Sequence, residues 1–314
     1  MSSQILITNA NLPFSQIMIA SSGAIKYPDL IIGVNGPYWT LSDELWFNRD
    51  LPLLQDSGLN YIRLGIGVSH SYLDRCLEAN IKVIATLDNI GLPDNLETFR
   101  NYVYNQVRSY RGKIEGWIVL NEVNVFYQEI TKEKYLEILK VANDAIKEAD
   151  PKALTITSNF AYADRAIEWI KELYQIDPNV NNYYDVVAVD PYCYRVENQT
   201  SSPDYPNVDM FGHGFWELEG LKELLNLKKD NSPIWIVEIG WPTSNDMSSI
   251  DEKTQADYIQ RALEMSYNWG WIDRIYIYKW MDSVGERSMG ILRNSFPYEK
   301  LSYYVVKNFI NSLN

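Results

Sequence analysis

Apolar residues in this chain gather into short unbroken runs, separated by longer stretches in which they recur every three or four positions. The runs are Leu30–Val34, Tyr61–Gly65, Lys82–Leu87, Gly116–Leu120, Leu154–Thr157, Val186–Val189, Ile234–Val237 and Ile275–Tyr278. They are rich in β-branched and aromatic residues and lack the alternation of a half-exposed sheet. Strands of a parallel sheet covered on both faces have this character. The amphipathic stretches between them carry helix punctuation. Asp43–Ser57 stops before Gly58, and Thr131 opens a stretch that closes at Asp150-Pro151. Ala163–Tyr174, Gly214–Lys229, Asp251–Tyr267 and Tyr298–Leu313 follow the same rule. Eight strand–helix units predict an α/β fold, a (β/α)8 TIM barrel forming one catalytic-size domain over residues 1–314. An open doubly wound sheet would need a glycine-rich phosphate turn after an early strand, and none is present. Residues 1–29 fall outside the repeat and are expected to form an N-terminal extension, a hairpin plugging the barrel's lower end.

Composition narrows the partners. With 28 basic against 41 acidic residues the net charge is −13, which argues against nucleic acid and against an anionic membrane surface and favours neutral substrates. The 10 Trp and 23 Tyr exceed what packing asks for, and flat amphipathic rings suit cores and sugar faces alike. Cys76 and Cys193 are too few for a disulfide framework and are expected to be free, Cys76 as an apolar filler on a helix. No run of apolar residues is long enough for a transmembrane helix. The first residues are interrupted by Asn9, Asn11 and Pro13 and lack a basic lead, unlike a signal peptide, so a cytoplasmic or a mature secreted protein is expected.

In such barrels chemistry sits at the carboxyl ends of the strands. Reading those ends yields Asn35, Tyr38 and Trp39 from strand one, Arg63 and His70 from strand two, and Asp88 and Asn89 from strand three. Strand four adds Asn121 and Glu122, strand six Asp190, Tyr192 and Tyr194, strand seven Glu238 and Trp241, and strand eight Trp280 and Asp282. Two strands stand out because each is apolar until it meets a glutamate: Trp117-Ile118-Val119-Leu120-Asn121-Glu122 and Trp235-Ile236-Val237-Glu238. Burying an unpaired carboxylate costs several kcal/mol or forces it to take a proton, so each needs a partner or a use. Retaining glycoside hydrolysis uses two carboxyls about 5–5.5 Å apart, one as nucleophile and one as acid/base. Arg63 is the cation that would keep Glu238 ionised. Glu122, facing that charge, would hold a proton for the leaving group, and Asn121 would donate to a sugar 2-hydroxyl.

The Asn121-Glu122 pair resembles the acid/base signature of the clan of retaining glycoside hydrolases built on (β/α)8 barrels with catalytic glutamates after strands four and seven. Glu238-Ile239-Gly240-Trp241-Pro242-Thr243 is similar to the nucleophile segment of β-1,3-glucanases, as are Pro191-Tyr192-Cys193-Tyr194 and, more faintly, Ile32-Gly33-Val34-Asn35-Gly36. Val123 stands where many clan members have proline, and Ile239 where the glucanases have Ser or Thr. The resemblance implies Glu122 as acid/base, Glu238 as nucleophile, Tyr192 beside the nucleophile and Trp280 as the floor of the subsite for the cleaved sugar. Trp39, Trp216 and Trp241 are further stacking candidates, whereas Trp117, Trp169, Trp235, Trp269 and Trp271 read as core or helix-face residues.

The expected function is hydrolysis of β-linked glycosides or β-glucan-type polysaccharides through a covalent glycosyl-enzyme, with an oligosaccharide or polysaccharide substrate and no cofactor. Two alternatives use the same scaffold: a transglycosylase with the same residues, and a carbohydrate-binding barrel without turnover. A barrel acting on phosphorylated metabolites is disfavoured by the acidic charge and the lack of a phosphate loop. His70 and His213 have no metal-ligating neighbours in sequence, and Gly-x-Ser-x-Gly is absent. Asp88 with Asn89, or Asp282 with Glu286, could hold a hard cation, yet solvated or hydrogen-bonding roles suit them better; no metal is expected.

Overall fold

The computed structural model describes residues 30–36, 45–65, 69–87, 95–127, 129–194, 200–205, 213–244, 248–283 and 287–313. The N-terminal extension lies outside them, as do Tyr38, Trp39, Asp88, Asn89 and Glu286. The described strands, all parallel, are β1 (Ile31–Asn35), β2 (Tyr61–Gly65), β3 (Lys82–Leu87), β4 (Gly116–Val119), β5 (Leu154–Ile156), β6 (Phe160–Ala161), β7 (Val187–Asp190), β8 (Ile234–Ile239) and β9 (Ile272–Ile277). They form one sheet in the order β5-β4-β3-β2-β1-β9-β8-β7-β6. The two ends of that order are neighbours in sequence. Parallel bridges Asn121↔Asn159 and Ile156↔Val186 join them and bring the sheet round into a barrel.

The expected strand Leu154–Thr157 is found as β5, and a short strand that the apolar pattern did not suggest, β6, follows it. β5 and β6 share the fifth barrel position, interrupted at Thr157-Ser158-Asn159, and β7, β8 and β9 are the sixth, seventh and eighth barrel strands. The cause is a change of partner: Thr157 spends its hydroxyl on the next carbonyl and on the Ala188 amide, and the Ser158 amide bonds the Tyr135 hydroxyl. The last strand also begins earlier than its apolar run suggests. Ile272-Asp273-Arg274 extends it downward, because Arg274 lies over the Trp235 ring and forms a bidentate pair with Glu115 (2.8 Å for each bond).

Helices cover the outside. A π-helical turn, Trp46–Asp50, leads into α1 (Leu51–Ser57), which ends at left-handed Gly58. There follow α2 (His70–Glu78), α3 (Leu96–Ser109), short α4 (Val123–Phe126), α5 (Lys132–Ala149), α6 (Ala163–Ile176), α7 (Leu218–Lys228), α8 (Glu252–Trp269) and α9 (Leu301–Leu313). Thr131 and Asp251 cap α5 and α8 through their side chains, as their positions suggest. The helices α2 and α3 fill gaps that hydrophobic spacing alone left unassigned; Ser69 and Asn95 cap them. Cys76 is buried on α2, and both cysteines are free. Among the described residues no helix is long and apolar enough to cross a membrane.

Two cores result. A large one fills the space between sheet and helices. A small one, Ile84, Ile118, Ile156, Val186, Ala188, Trp235, Val237 and Tyr276, fills the barrel. Gly33 makes room for it, since a Cβ there would stand 2.5 Å from the Tyr276 ring. The inner core also dates each strand's phase: residues two apart from its members point inward.

Candidate active site

Above the inner core the inward positions turn polar. Arg63 pairs in register with Ile84, so it faces in, and Asn35 pairs with Arg63. Asp190 follows inward Ala188 by two residues and faces in by simple alternation. The two glutamate segments need more. Alternation after Trp235 and Val237 would send Glu238 outward, but three residues of β8 span two of β9 between Ile236↔Ile275 and Ile239↔Ile277. That bulge re-aims Glu238 to the mouth. Just past β4, Leu120 takes a left-handed φ of 66°, and Glu122 one of 39°. Non-glycine residues pay about 1–3 kcal/mol for such conformations. Here the cost turns Asn121 and Glu122 to the barrel's open end. The chain is then gripped from the side: Asn124 donates to the Ala161 carbonyl (2.8 Å) and accepts from its amide (2.9 Å), and the Val123 amide donates to Ser158 Oγ (3.0 Å).

The convergence is tight. One carboxyl oxygen each from Glu122, Asp190 and Glu238 lie within 4.8 Å of one another. Arg63 Nη1 donates to Glu238 Oε1 and to Asn35 Oδ1 (2.8 Å); Arg63 Nη2 donates to Asn121 Oδ1 (2.7 Å) and Thr86 Oγ1 (3.1 Å). Tyr192 donates its hydroxyl to Glu238 Oε2 at 2.7 Å. Asn35 also donates to the Val237 carbonyl (2.8 Å), tying the first barrel strand to the seventh. Asn121 Oδ1 accepts from Arg63 and from Asn159 Nδ2 (3.0 Å). Asn159 donates to Asp190 Oδ2 as well.

These surroundings divide the glutamates. Glu238 has a guanidinium and a phenol on its two oxygens. Burial, and then the Glu238 charge, push Glu122 up to about 7, with Arg63 pulling the other way. Burial and the charges of Glu238 and Glu122 push Asp190 well above the usual carboxylate range. Three carboxyls so spaced could also ligate a hard cation, but Arg63 already supplies positive charge inside the cluster.

Of the residues read from sequence, Asn35, Arg63, Asn121, Glu122, Tyr192 and Glu238 therefore meet in one place, and Asp190 joins them. Others do not. Trp241 is fully buried, its Nε1 on the Ser201 carbonyl (2.8 Å), so its ring offers no face to a sugar. Trp280 is 1% exposed with Nε1 on Asp50 (2.8 Å). It packs behind the mouth rather than flooring it. Tyr278, two residues earlier and half-buried, meets Tyr192 edge-on at 6.4 Å and so stands beside the site. Trp216 is 39% exposed on a 3-10 turn. Trp117, Trp169 and Trp235 are core residues as expected. His70 stacks on Tyr110, Asp282 pairs with Lys300 (2.9 Å), and His213 pairs with Asp164 (2.9 Å) while stacked on Tyr162. Sequence reasoning missed Thr86, Asn159 and Tyr278. The signal for Asn159 was present: three polar residues in a row, Thr157-Ser158-Asn159, at the end of an apolar strand.

No protein-family model matches the chain, and no curated protein matches it in sequence. Solved structures do match in fold. A family 39 glycoside hydrolase from Bacteroides cellulosilyticus WH2 superposes with a TM-score of 0.69 at 19% identity, covering 90% of this chain and 63% of that one. A GH2 β-galacturonidase from Eisenbergiella tayi gives 0.63 at 20%, covering 90% of this chain and 51% of that one. A GH5_18 protein from Streptomyces cattleya, solved with GlcNAc, gives 0.63 at 16%, covering 92% and 81%. This chain thus spans about half to two-thirds of the first two, and what it shares with all three is the curled parallel (β/α) barrel.

Proposed function

We infer that this protein is a glycoside hydrolase that cleaves β-linked glycosides with retention of configuration. The observation that supports it most is the approach of Glu122 and Glu238, carried on the fourth and seventh barrel strands, with oxygens within 4.8 Å. An inverting pair sits about 6.5–9.5 Å apart to leave space for water, and a retaining pair about 5–5.5 Å. Glu238, held by Arg63 and Tyr192, attacks the anomeric carbon as the glycosidic bond breaks, and the departing oxygen takes the Glu122 proton. Glu122 then accepts a proton from water, which cleaves the glycosyl ester and restores Glu238. Asn121 presents its amide to the sugar's 2-hydroxyl, a bond that strengthens as the ring gains positive charge.

The test is chemical. Glu238→Ala should lower turnover of aryl β-glycosides by about a thousandfold or more, and added azide should restore it with an α-glycosyl azide as product. Wild-type turnover in that variant, or a β-azide, would refute the assignment. Laminarin, lichenan, mannan, galactan and xylan, with aryl β-glucuronides and β-galacturonides added because such sugars name several fold neighbours, would identify the substrate.

A further inference from the structure

Asp190 has no part in the two-carboxyl scheme above, yet it sits inside it. It is fully buried at the end of β7. Oδ2 accepts from Asn159, while Oδ1 has no hydrogen-bond partner of ordinary length. A buried carboxyl oxygen without a donor is costly as an anion and unremarkable as an acid that carries its own hydrogen. The groups facing it are Glu122 from the end of β4, Glu238 from β8, Arg63 from β2, and the Tyr192 phenol just beyond β7; Tyr162, after β6, faces Glu122. With Asp190 itself, that is three carboxyls against one guanidinium among the described groups that face it.

We propose that Asp190 is a positioning residue: a carboxylic acid that keeps its proton throughout the cycle and offers it as a hydrogen bond to Glu122, leaving Glu122 alone to exchange a proton with substrate and water. The proposal rests on the glycosidase reading and adds a charge balance to it. At rest Glu238 is the single anion opposite Arg63, and Glu122 and Asp190 are both neutral. When Glu238 forms its bond to the anomeric carbon and the leaving oxygen departs with the Glu122 proton, Glu238 becomes a neutral ester and Glu122 becomes the anion. The count of one anion and one cation is unchanged, and the Asp190 O–H stabilises the new carboxylate. An ionised Asp190 would leave two buried anions to one cation at both stages, an arrangement that burial disfavours. The direction of the pKa shifts agrees: Asp190 is raised, and its contact with Glu122 draws Glu122 down against the effect of burial.

Two measurements on the intact protein test this. Infrared difference spectra in H2O and D2O record the stretch of protonated carboxyls without any turnover. A protonated-carboxyl band that persists to pH 8 and vanishes in Asp190→Asn is expected; no band lost in that variant at pH 6 would mean Asp190 is ionised and would overturn the proposal. The second is the basic limb of kcat/KM on an aryl β-glycoside with a poor leaving group. Asp190→Asn keeps a neutral donor, so the limb should stay within about 0.3 unit of wild type, whereas Asp190→Ala removes the donor and should raise it by about one unit. If both variants lower the limb by a unit, Asp190 acts as a charge and the proposal fails. A band with the expected behaviour in a protein that hydrolyses no glycoside would retire the glycosidase reading while leaving the buried acid in place, so the two failures are told apart.

Discussion

At the scale of single residues, environment separates two glutamates that look alike on paper. Glu122 is raised because its charged form is poorly solvated and sits beside another anion. The acid role proposed for it therefore needs a pH below about 7. For leaving groups that require protonation, kcat/KM should fall as pH rises through about 7, and this limb should disappear in Glu122→Gln. Glu122→Ala should spare activated aryl glycosides far more than poor ones. With azide it should yield the β-glycosyl azide, opposite to the product from Glu238→Ala. The same shift carries a stability sign. A carboxyl whose folded pKa lies above its ordinary 4.5 binds its proton more tightly in the folded state. That stability is fully present below the ordinary value and is lost as pH rises to about 7. Thermal unfolding should thus find Glu122→Gln more stable than wild type at pH 8, by on the order of 2 kcal/mol, with no such gain at pH 4.

At the scale of elements, the site depends on places where regular geometry breaks. Period two along β8 would point Glu238 at the helices, and the bulge opposite β9 corrects it. Gly240, next in line, lets the chain leave: a Cβ there would lie 1.9 Å from the Tyr278 carbonyl oxygen. Just past β4 the left-handed Leu120 does the corresponding work for Asn121 and Glu122. Such a backbone persists only where neighbours over-determine it, and the Asn124 clamp on Ala161 is one of those neighbours. Asn124→Ala leaves a buried Ala161 amide without its partner. It should destabilise the fold by about 1–3 kcal/mol and lower kcat more than it raises KM, since it displaces Glu122, the proposed acid/base, rather than the sugar. Denaturant unfolding and steady-state kinetics on the same preparation check both halves.

At the scale of the whole molecule, the barrel holds together through contacts between residues far apart in sequence. Asn35 on β1 reaches Val237 on β8 and Arg63 on β2, and Gly33 accepts the Tyr276 ring of β9 into the inner core. Gly33→Ala forces that ring or the sheet to move and should lower stability by about 3 kcal/mol. Combining it with Tyr276→Leu should recover part of the loss, a non-additivity that a double-mutant cycle would read directly. Full additivity would mean that a methyl at position 33 does not meet the Tyr276 ring in the folded barrel.

The repeat of apolar run and amphipathic stretch was enough to derive the barrel, because burying both faces of a strand demands continuous hydrophobicity and burying one face of a helix demands a stripe. It was also enough to place Glu122, Glu238, Asn121 and Asn35 at or beside strand ends, whereas Arg63 lies in the middle of β2. Which way those side chains turn was a tertiary matter. A bulge and a left-handed leucine are defined against a neighbouring strand, and no local pattern announces them. The same holds for the aromatics. Trp241, Trp280 and Tyr278 are alike in sequence as large rings at strand ends, and only the packing around them leaves Tyr278 open while closing the other two. Asp190 and Asn159 were legible as polar residues in apolar company. Their meeting with the glutamates required the strand order, since the charge one carboxyl feels is set by those brought near it through space.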